Sequence, residues 1–342
     1  MEKILSIFIP SYNMEKYLNQ CIDSLITDVL PEMEVLIIND GSKDNTLKIA
    51  REFEAKYPDN IKVIDKPNGN YGSCINAALK VATGKYFKVL DADDSFEKEN
   101  LPHFIACLKS TDADLVISNY VIVNEQGVVT RECKFGDQAF KDKELKECSP
   151  ILYKPNFEMH AVTYKKEVFQ GLDYVQSEGV SYTDMEWMFL PMTRVNTISF
   201  FDKVVYRYLV GRAGQTVDIK VSMKAVDQTI TVMEKLLSIY NNEKVDLSDL
   251  HLKYLQHRLS RKAPSIYRIC LIKTPDNSMY ARLKNFDERL RTTYPELYNE
   301  LGNEDIKGLP FRFVKYWRKR YGVKERMIRL KLMGTLFQLI NR

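Results

Sequence analysis

Three carboxylates, Asp91, Asp93 and Asp94, close the run Lys85-Tyr86-Phe87-Lys88-Val89-Leu90-Asp91-Ala92-Asp93-Asp94, which climbs out of a turn at Gly84. Tyr, Phe and Val suit a pleated, half-buried surface and Asp does not, so the change of composition puts the acids on the rim of a sheet. That rim is where open α/β sheets bind ligands. Asp91 and Asp93 stand two apart and leave an extended chain on one face, where they can hold a hard divalent cation, Mg²⁺ or Mn²⁺, against a substrate phosphate. A D-x-D standing alone is more often a solvated turn, with Asp94 or Ser95 capping the next helix. The surrounding sequence decides between the two.

The elements that position these acids repeat. Ile4 to Pro10 is an apolar run ending in Ser11-Tyr12-Asn13, followed by helical spacing at Tyr17, Cys21 and Leu25. Glu34 to Asn39 is a second β-rich run, stopped by Asp40-Gly41-Ser42 and restarted as a helix at Asp44-Asn45-Thr46. Ile61 to Ile64 is a third strand, and Pro67 to Gly72 forms a loop into a helix over Ser73 to Ala82. The acidic strand comes next, then a helix from about Glu97 to Lys109 and a buried strand over Asp114 to Val123. Strands alternating with helices predict a mostly parallel α/β sheet covered by helices, with the loops after Pro10, Asp40, Lys66 and Leu90 converging on one edge. A dinucleotide-binding fold wants Gly-x-Gly-x-x-Gly after its first strand, where this chain has Pro-Ser-Tyr-Asn, and no Walker loop is present.

Three stretches in this order, Ile9-Pro10-Ser11-Tyr12-Asn13, Val35 through Thr46, and Gly84 through Asp94, resemble family 2 glycosyltransferases of the GT-A fold. The resemblance covers roughly the first hundred residues and thins toward Asp218. It implies that Pro10 and Tyr12 line the base and ribose pocket of a nucleotide-sugar, and that Asp40 accepts a hydrogen bond from uracil. An ionised Asp, being acceptor-only, is suited to that bond. It implies further that Asp91 reaches the ribose or metal shell, that Asp93 ligates the cation bridging the diphosphate, and that Asn70, Tyr71 and Gly72 meet the donor. A plain helix-entry turn is the rival reading of Asn70 to Gly72.

Ser177 to Phe189 resembles the segment in which a Glu-Asp pair opens a helix and its Asp is the catalytic base. Here Thr183 stands in place of Glu, which leaves Asp184 as base, with Glu186 as fallback; capping by Thr183 and dipole complementarity of the two acids explain the same residues blandly. Trp187 fits a core anchor or a sugar-stacking wall. The resemblance ends in Tyr206 to Thr216, where a basic loop folds over the donor in such enzymes, so Arg207 or Arg212 would contact the diphosphate. His160, the only histidine near this region, could complete a metal shell, but a lone histidine is more often structural and it is left out of the ligand set.

At 342 residues and 45% hydrophobic content the chain is globular and long enough for two domains. A GT-A domain is expected over 1–218 and a helical region over 219–342, the latter shaping the acceptor site or an oligomer interface. No run approaches the roughly 18 apolar residues of a membrane span. The first strand is too short for a signal peptide, and the six cysteines show neither C-x-x-C nor a pairing pattern, so a cytoplasmic location is expected. From Lys307 to Arg342 eleven Lys and Arg face the single acid Glu325, about +10 against a chain total of +4. Aromatics Phe311, Phe313, Tyr316, Trp317 and Tyr321 are interleaved with this charge. Two readings stand: a basic amphipathic tail on the inner leaflet of the plasma membrane, near a lipid-linked acceptor, or a terminal helix docked on its own domain. No nucleic-acid module accompanies the basic residues.

The expected activity is a metal-dependent, inverting transfer from a UDP-sugar to a hydroxyl of a glycan or lipid-linked acceptor in cell-surface polysaccharide synthesis. The alternatives are an inactive nucleotide-sugar-binding scaffold, suggested by Thr183, and a nucleotidyltransferase, which wants a Gly-rich basic loop after its first strand.

Overall fold

The computed structural model describes residues 2–136, 142–155, 157–212, 225–243, 245–273, 277–304 and 312–320, with isolated positions 332 and 335. The chain divides into two compact units, Met1–Ala213 and Gly214–Arg342. The boundary expected at 218 lies outside the described residues, as does most of the basic tail.

Unit 1 is a mixed sheet flanked by helices. Its strands are β1 (Leu5–Ser11), β2 (Met33–Asp40), β3 (Ile61–Lys66), β4 (Tyr86–Val89), β5 (Ser95–Phe96), β6 (Leu115–Val123), β7 (Val129–Cys133), β8 (Lys143–Glu144), β9 (Val162–Lys165) and β10 (Thr197–Leu209). They run in the order β3-β2-β1-β4-β9-β6-β10-β5, with β7 on β6 and β8 on β10. The pairings among β3, β2, β1 and β4 are parallel, as the alternation predicts. β9 then enters antiparallel to both β4 and β6, and β10 returns parallel to β6. With only four residues, β9 carries too little periodicity to be read from sequence.

β1 and β2 are buried at every position, which is why they read as continuous apolar runs. Of the two carboxylates in β2, Glu34 lies at the opposite end from Asp40 and is held by three donors. It accepts from the Ser6 hydroxyl at 2.6 Å, the Thr83 amide at 2.9 Å and the Thr83 hydroxyl at 3.1 Å. The Gly84 amide in turn donates to Ser6 Oγ, and a Cβ at Gly84 would lie 2.6 Å from the Ser6 nitrogen, so only glycine lets the chain start β4 here. Because β1 to β4 are parallel, their C-terminal ends and the loops after Ser11, Asp40, Lys66 and Val89 share one edge.

Helix α1 (Leu18–Asp23), α2 (Thr46–Lys56), α3 (Asn70–Leu79), α4 (Leu101–Ser110), α5 (Leu145–Leu152) and the short α6 (Asp184–Trp187) complete the unit. Asp44 caps the start of α2 by accepting from the Thr46 amide and hydroxyl. α3 starts at Asn70, three residues earlier than the sequence reading. Asn70 takes a φ of 62°, a left-handed conformation that Asn tolerates, and this turns the loop directly into the helix.

Unit 2 is helical, as expected. It comprises α7 (Val226–Glu243), α8 (Asp249–Arg268) running into a π-helical turn over Ile269–Lys273, α9 (Asn277–Thr293), α10 (Pro295–Leu301) and α11 (Phe313–Arg318). Its core includes Ile230, Met233, Leu237, Leu255, Leu259 and Phe286. Phe313, Val314 and Trp317 of α11 are buried in it too, so the docked-helix reading holds for this part of the basic segment. A charged lock secures α11: Arg318 donates to both oxygens of the fully buried Asp287, which also accepts from the Tyr267 hydroxyl at 2.6 Å, and the guanidinium lies 3.6 Å from the Tyr298 ring centroid. Among the described residues no helix is long and apolar enough to cross a membrane.

Removing one partner of such a pair strands the other charge in the core. Asp287→Ala is expected to cost unit 2 about 3–5 kcal/mol in urea denaturation and to speed amide exchange across 313–318. Tyr267→Phe, which deletes a single neutral donor, should cost about 1 kcal/mol.

Candidate active site

The three acids leave β4 as expected, but each meets a different answer to its charge. Asp91 is half-buried; its amide donates to the Tyr206 hydroxyl oxygen at 3.1 Å, and its Oδ1 accepts from the Tyr71 hydroxyl at 2.8 Å. Asp94 is buried, accepting from the Tyr206 hydroxyl at 2.6 Å and from the Leu209 amide at 2.7 Å. Asp93 is half-buried and takes the Arg212 Nε at 2.5 Å, while that guanidinium lies 5.4 Å from the Tyr17 ring centroid. Burial and then the neighbouring Asp93 push the Asp91 carboxyl up to about 7. Asp94 is driven up as well, by burial and by the charges of Asp93 and Asp91.

His160 completes this cluster. It sits in a 3₁₀ turn, Met159–Ala161, that leads into β9, and its ring stacks on Tyr208 with centroids 4.2 Å apart. Burial, then the charge of Lys88, lowers its pKa to about 3, so the imidazole is neutral. Its Nδ1 is buried with no hydrogen-bond partner among the described residues. One ligand atom from each of Asp91, Asp94 and His160 lies within 4.8 Å of the others. A neutral imidazole nitrogen beside carboxylates whose charge is disfavoured by burial and by one another is a donor set that suits a divalent cation. The turn is pinned from beneath by Lys88, fully buried in β4, whose ammonium donates to the carbonyls of His160 at 2.8 Å and Val162 at 3.1 Å. The expected ligand pair was Asp91 and Asp93. Here Asp93 is held by Arg212, while Asp94 and His160 lie beside Asp91. Nothing in the spacing of a lone histidine 66 positions after Asp94 signals that meeting.

Along the same edge Asp40 ends β2 and is buried; its Oδ1 accepts from the Lys66 ammonium at 2.5 Å and the Gly69 amide at 2.9 Å. Pro10 is buried at the end of β1, and Tyr12 just beyond it is 46% exposed, open to a ligand. Gly72 has a packing reason for being glycine: a Cβ there would lie 2.1 Å from the carbonyl oxygen of Ser177. The segment crossing it is stitched to α3, with Gly179 N–H donating to the Gly69 carbonyl and Asn76 bonding Gln176 in both directions. That crossing delivers α6 to the acid edge.

Asp184 is the first residue of α6 and half-buried. Its charge raises both the Asp91 carboxyl and the Tyr71 hydroxyl, each time after larger effects of burial and nearer groups, so it lies within electrostatic reach of the cluster. Thr183 makes no side-chain cap, against expectation, and its hydroxyl is buried without a partner among the described residues. Glu186 is buried and accepts from the Ser177 amide at 3.0 Å, a tether for the loop. Trp187 is a core anchor, packed among Phe8, Tyr164, Phe169 and Tyr174. Of the two arginines weighed for the donor, Arg207 pairs with Glu97 at 2.7 Å, and only Arg212 touches the acid cluster.

Residues 6–171 match the model for glycosyl transferase family 2. The chain is 25% identical to a hyaluronan synthase of Pasteurella multocida over 256 residues, 74% of this chain and 25% of the synthase, so it spans about a quarter of that relative's length. In fold it is similar to S. aureus TarS 1-349, crystallised in complex with UDP-GlcNAc, with a TM-score of 0.67 at 19% identity, covering 98% of this chain and 92% of that one. It is also similar to the mannosyltransferase PcManGT of Pyrobaculum calidifontis, in complex with GDP-Man and Mn²⁺, with a TM-score of 0.52 at 13% identity, covering 98% and 88%. The parallel strands, the acids at their shared edge and the matched span agree: residues 6–171 carry a glycosyl transferase family 2 domain.

Proposed function

We propose that the chain transfers a sugar from a UDP-sugar to a hydroxyl of a glycan or lipid-linked acceptor, with inversion at the anomeric carbon, in the synthesis of a cell-surface polysaccharide. The observation that carries this reading is the gathering of Asp91, Asp93, Asp94 and a neutral His160 at the edge that also holds Asp40, with Asp184 acting on Asp91. Asp40 would accept the uracil N3–H, with Pro10 and Tyr12 beside the base and Asn70 at the entry of α3. Asp91 and His160, with Asp94 alongside, would hold Mn²⁺ or Mg²⁺. Such an ion supplies Lewis-acid stabilisation of the diphosphate leaving group. Arg212 carries donors enough to exchange Asp93 for a phosphate oxygen, adding charge where the leaving group develops it. Asp184 would take the acceptor hydroxyl's proton as that oxygen attacks C1; the C1–O bond to the diphosphate breaks on the opposite face, and its electron pair leaves with UDP.

The similarity to a hyaluronan synthase supports a glycan acceptor over a small one. In this reading Asp40 and Tyr12 meet the nucleotide rather than the sugar, so the donor is named by its base alone. A membrane contact through 307–342 would rest on Arg312, Lys315 and Lys319, which are exposed, since Phe313 and Trp317 are buried. Thr183 in the place of the usual Glu favours one second reading, a donor-binding scaffold; tight UDP binding with no turnover would select it.

Two outcomes are expected of the full chain. Asp184→Asn should lower UDP release from the correct UDP-sugar by about 10²–10⁴-fold while UDP affinity by calorimetry holds within about twofold; an active Asp184→Asn would remove it as the base. His160→Ala should weaken Mn²⁺ binding by about 10–100-fold and abolish the Mn²⁺-dependent rise in melting temperature. Unchanged Mn²⁺ affinity would return His160 to a purely structural role.

A further inference from the structure

Asp40 ends β2 with a carboxylate whose Oδ1 meets Lys66 Nζ at 2.5 Å, Gly69 N–H at 2.9 Å and the more distant Ser73 Oγ at 3.5 Å, with the Cys74 thiol also beside the carboxylate. A lysine ammonium has three protons and no acceptor. Those of Lys66 have three matching acceptors: Asp40 Oδ1, the Pro67 carbonyl at 2.7 Å and Ser73 Oγ at 2.7 Å. The Ser73 hydroxyl can accept because its own single proton goes to the Asn70 carbonyl at 2.6 Å. Lys66 is thus satisfied within the protein, and its side chain is 20% exposed.

The space around this knot is exact to the width of a methyl group. A Cβ at Gly69 would lie 2.7 Å from Ser73 Oγ and 3.3 Å from Lys66 Nζ, so a side chain there would force the knot apart. The two loops are joined again through the backbone. Asn68 Nδ2 donates to the Asp40 carbonyl at 2.9 Å, and a Cβ at Gly41, which has a φ of 70°, would lie 2.9 Å from the Asn68 nitrogen. One residue earlier, Asn39 Nδ2 donates to Asp65 Oδ1 at 2.7 Å, so the ends of β2 and β3 are cross-linked at consecutive positions.

We infer that Lys66 is a positioning residue for base selection: with Ser73 and Gly69 it ties down one oxygen of Asp40 and so leaves the other as a fixed acceptor for a nucleobase N–H. This deepens the donor reading above and rests on it. A fixed carboxylate acceptor rewards uracil, whose N3 carries a proton, and penalises cytosine, whose N3 is itself an acceptor and would be left facing a negative charge. The penalty depends on the carboxylate being unable to turn away. A satisfied, charge-assisted bond to Lys66 supplies that restraint, since Asp40 would have to abandon it to rotate. Lys66 itself has no proton left for the ligand, so its contribution is to geometry and not to contact.

The test measures UDP, CDP and inorganic pyrophosphate binding to the full chain in Mn²⁺ by titration calorimetry. The wild type is expected to prefer UDP over CDP by at least about tenfold. Lys66→Met should shrink that ratio by about tenfold through weaker UDP binding, with CDP and pyrophosphate held within about twofold. Ser73→Ala, which removes one of the three lysine acceptors and little volume, should move the ratio the same way by a smaller factor, and it decides the matter if Lys66→Met does not fold. An unchanged UDP to CDP ratio in both variants overturns the inference, as does an equal loss for all three ligands, which a merely structural lysine would give. A wild type that binds pyrophosphate but does not distinguish UDP from CDP sinks the assignment of Asp40 to the base, and this inference with it.

Discussion

Like charges crowded at the end of a single strand govern the architecture of unit 1. Two carboxylates about 5 Å apart repel by roughly 3 kcal/mol at an effective dielectric of about 20, and β4 ends in three of them. The fold answers each one separately. Tyr71 and Tyr206 supply neutral donors, the Leu209 amide supplies another, Arg212 supplies a full charge, and His160 is kept neutral nearby. These partners come from α3, from the turn before β9 and from both the body and the end of β10. A sheet built for stability alone would place apolar residues there. Retaining the acids makes sense where a cation and a polyanionic ligand are to be shared, and the raised carboxyl groups record how much positive charge the site can still accept.

The sequence was most legible where backbone chemistry and composition change together. Apolar runs stopped by Pro10-Ser11, by Asp40-Gly41 and by Asp91 marked the ends of three parallel strands, since a buried strand must be apolar until it reaches the rim. The family-like motifs lay on those same boundaries. What could not be read was tertiary. Lys88 looks like an ordinary exposed residue in a β-prone run, yet it lies fully buried with its amine on two carbonyls. His160 has no neighbour in sequence that betrays its part, because Asp91 and Asp94 reach it through the insertion of β9 between β4 and β6. Gly72 was legible as a special position, and the structure adds a packing cause that the sequence did not reveal, the close approach of the Ser177 carbonyl.

The helical unit follows a different logic. Its apolar spacing at Ile230, Met233 and Leu237 was visible, but the fate of the aromatic and basic segment was not, because alternation of the two types suits a lipid surface and a docked helix alike. The deciding interaction is Asp287, which attracts Arg318 into the core together with Trp317. An acid 31 residues away converted part of a surface-like sequence into an interior helix. Among the described basic residues of the segment, Arg312, Lys315 and Lys319 are left exposed.

One hydroxyl couples this chemistry to the order in which the polypeptide is made. Tyr206 serves Asp91 and Asp94 at once, and it reaches them only after two register shifts in the pairing of β10 with β6, between Phe201 and Tyr206. A slip of one residue would turn its ring to the other face of the sheet. A ribosome that has released everything through β9 has therefore exposed all three acids and His160 but not the group that reconciles them. The acid edge of a nascent chain should accordingly stay unreconciled until β10 has zipped into place, well after its first four strands can pair.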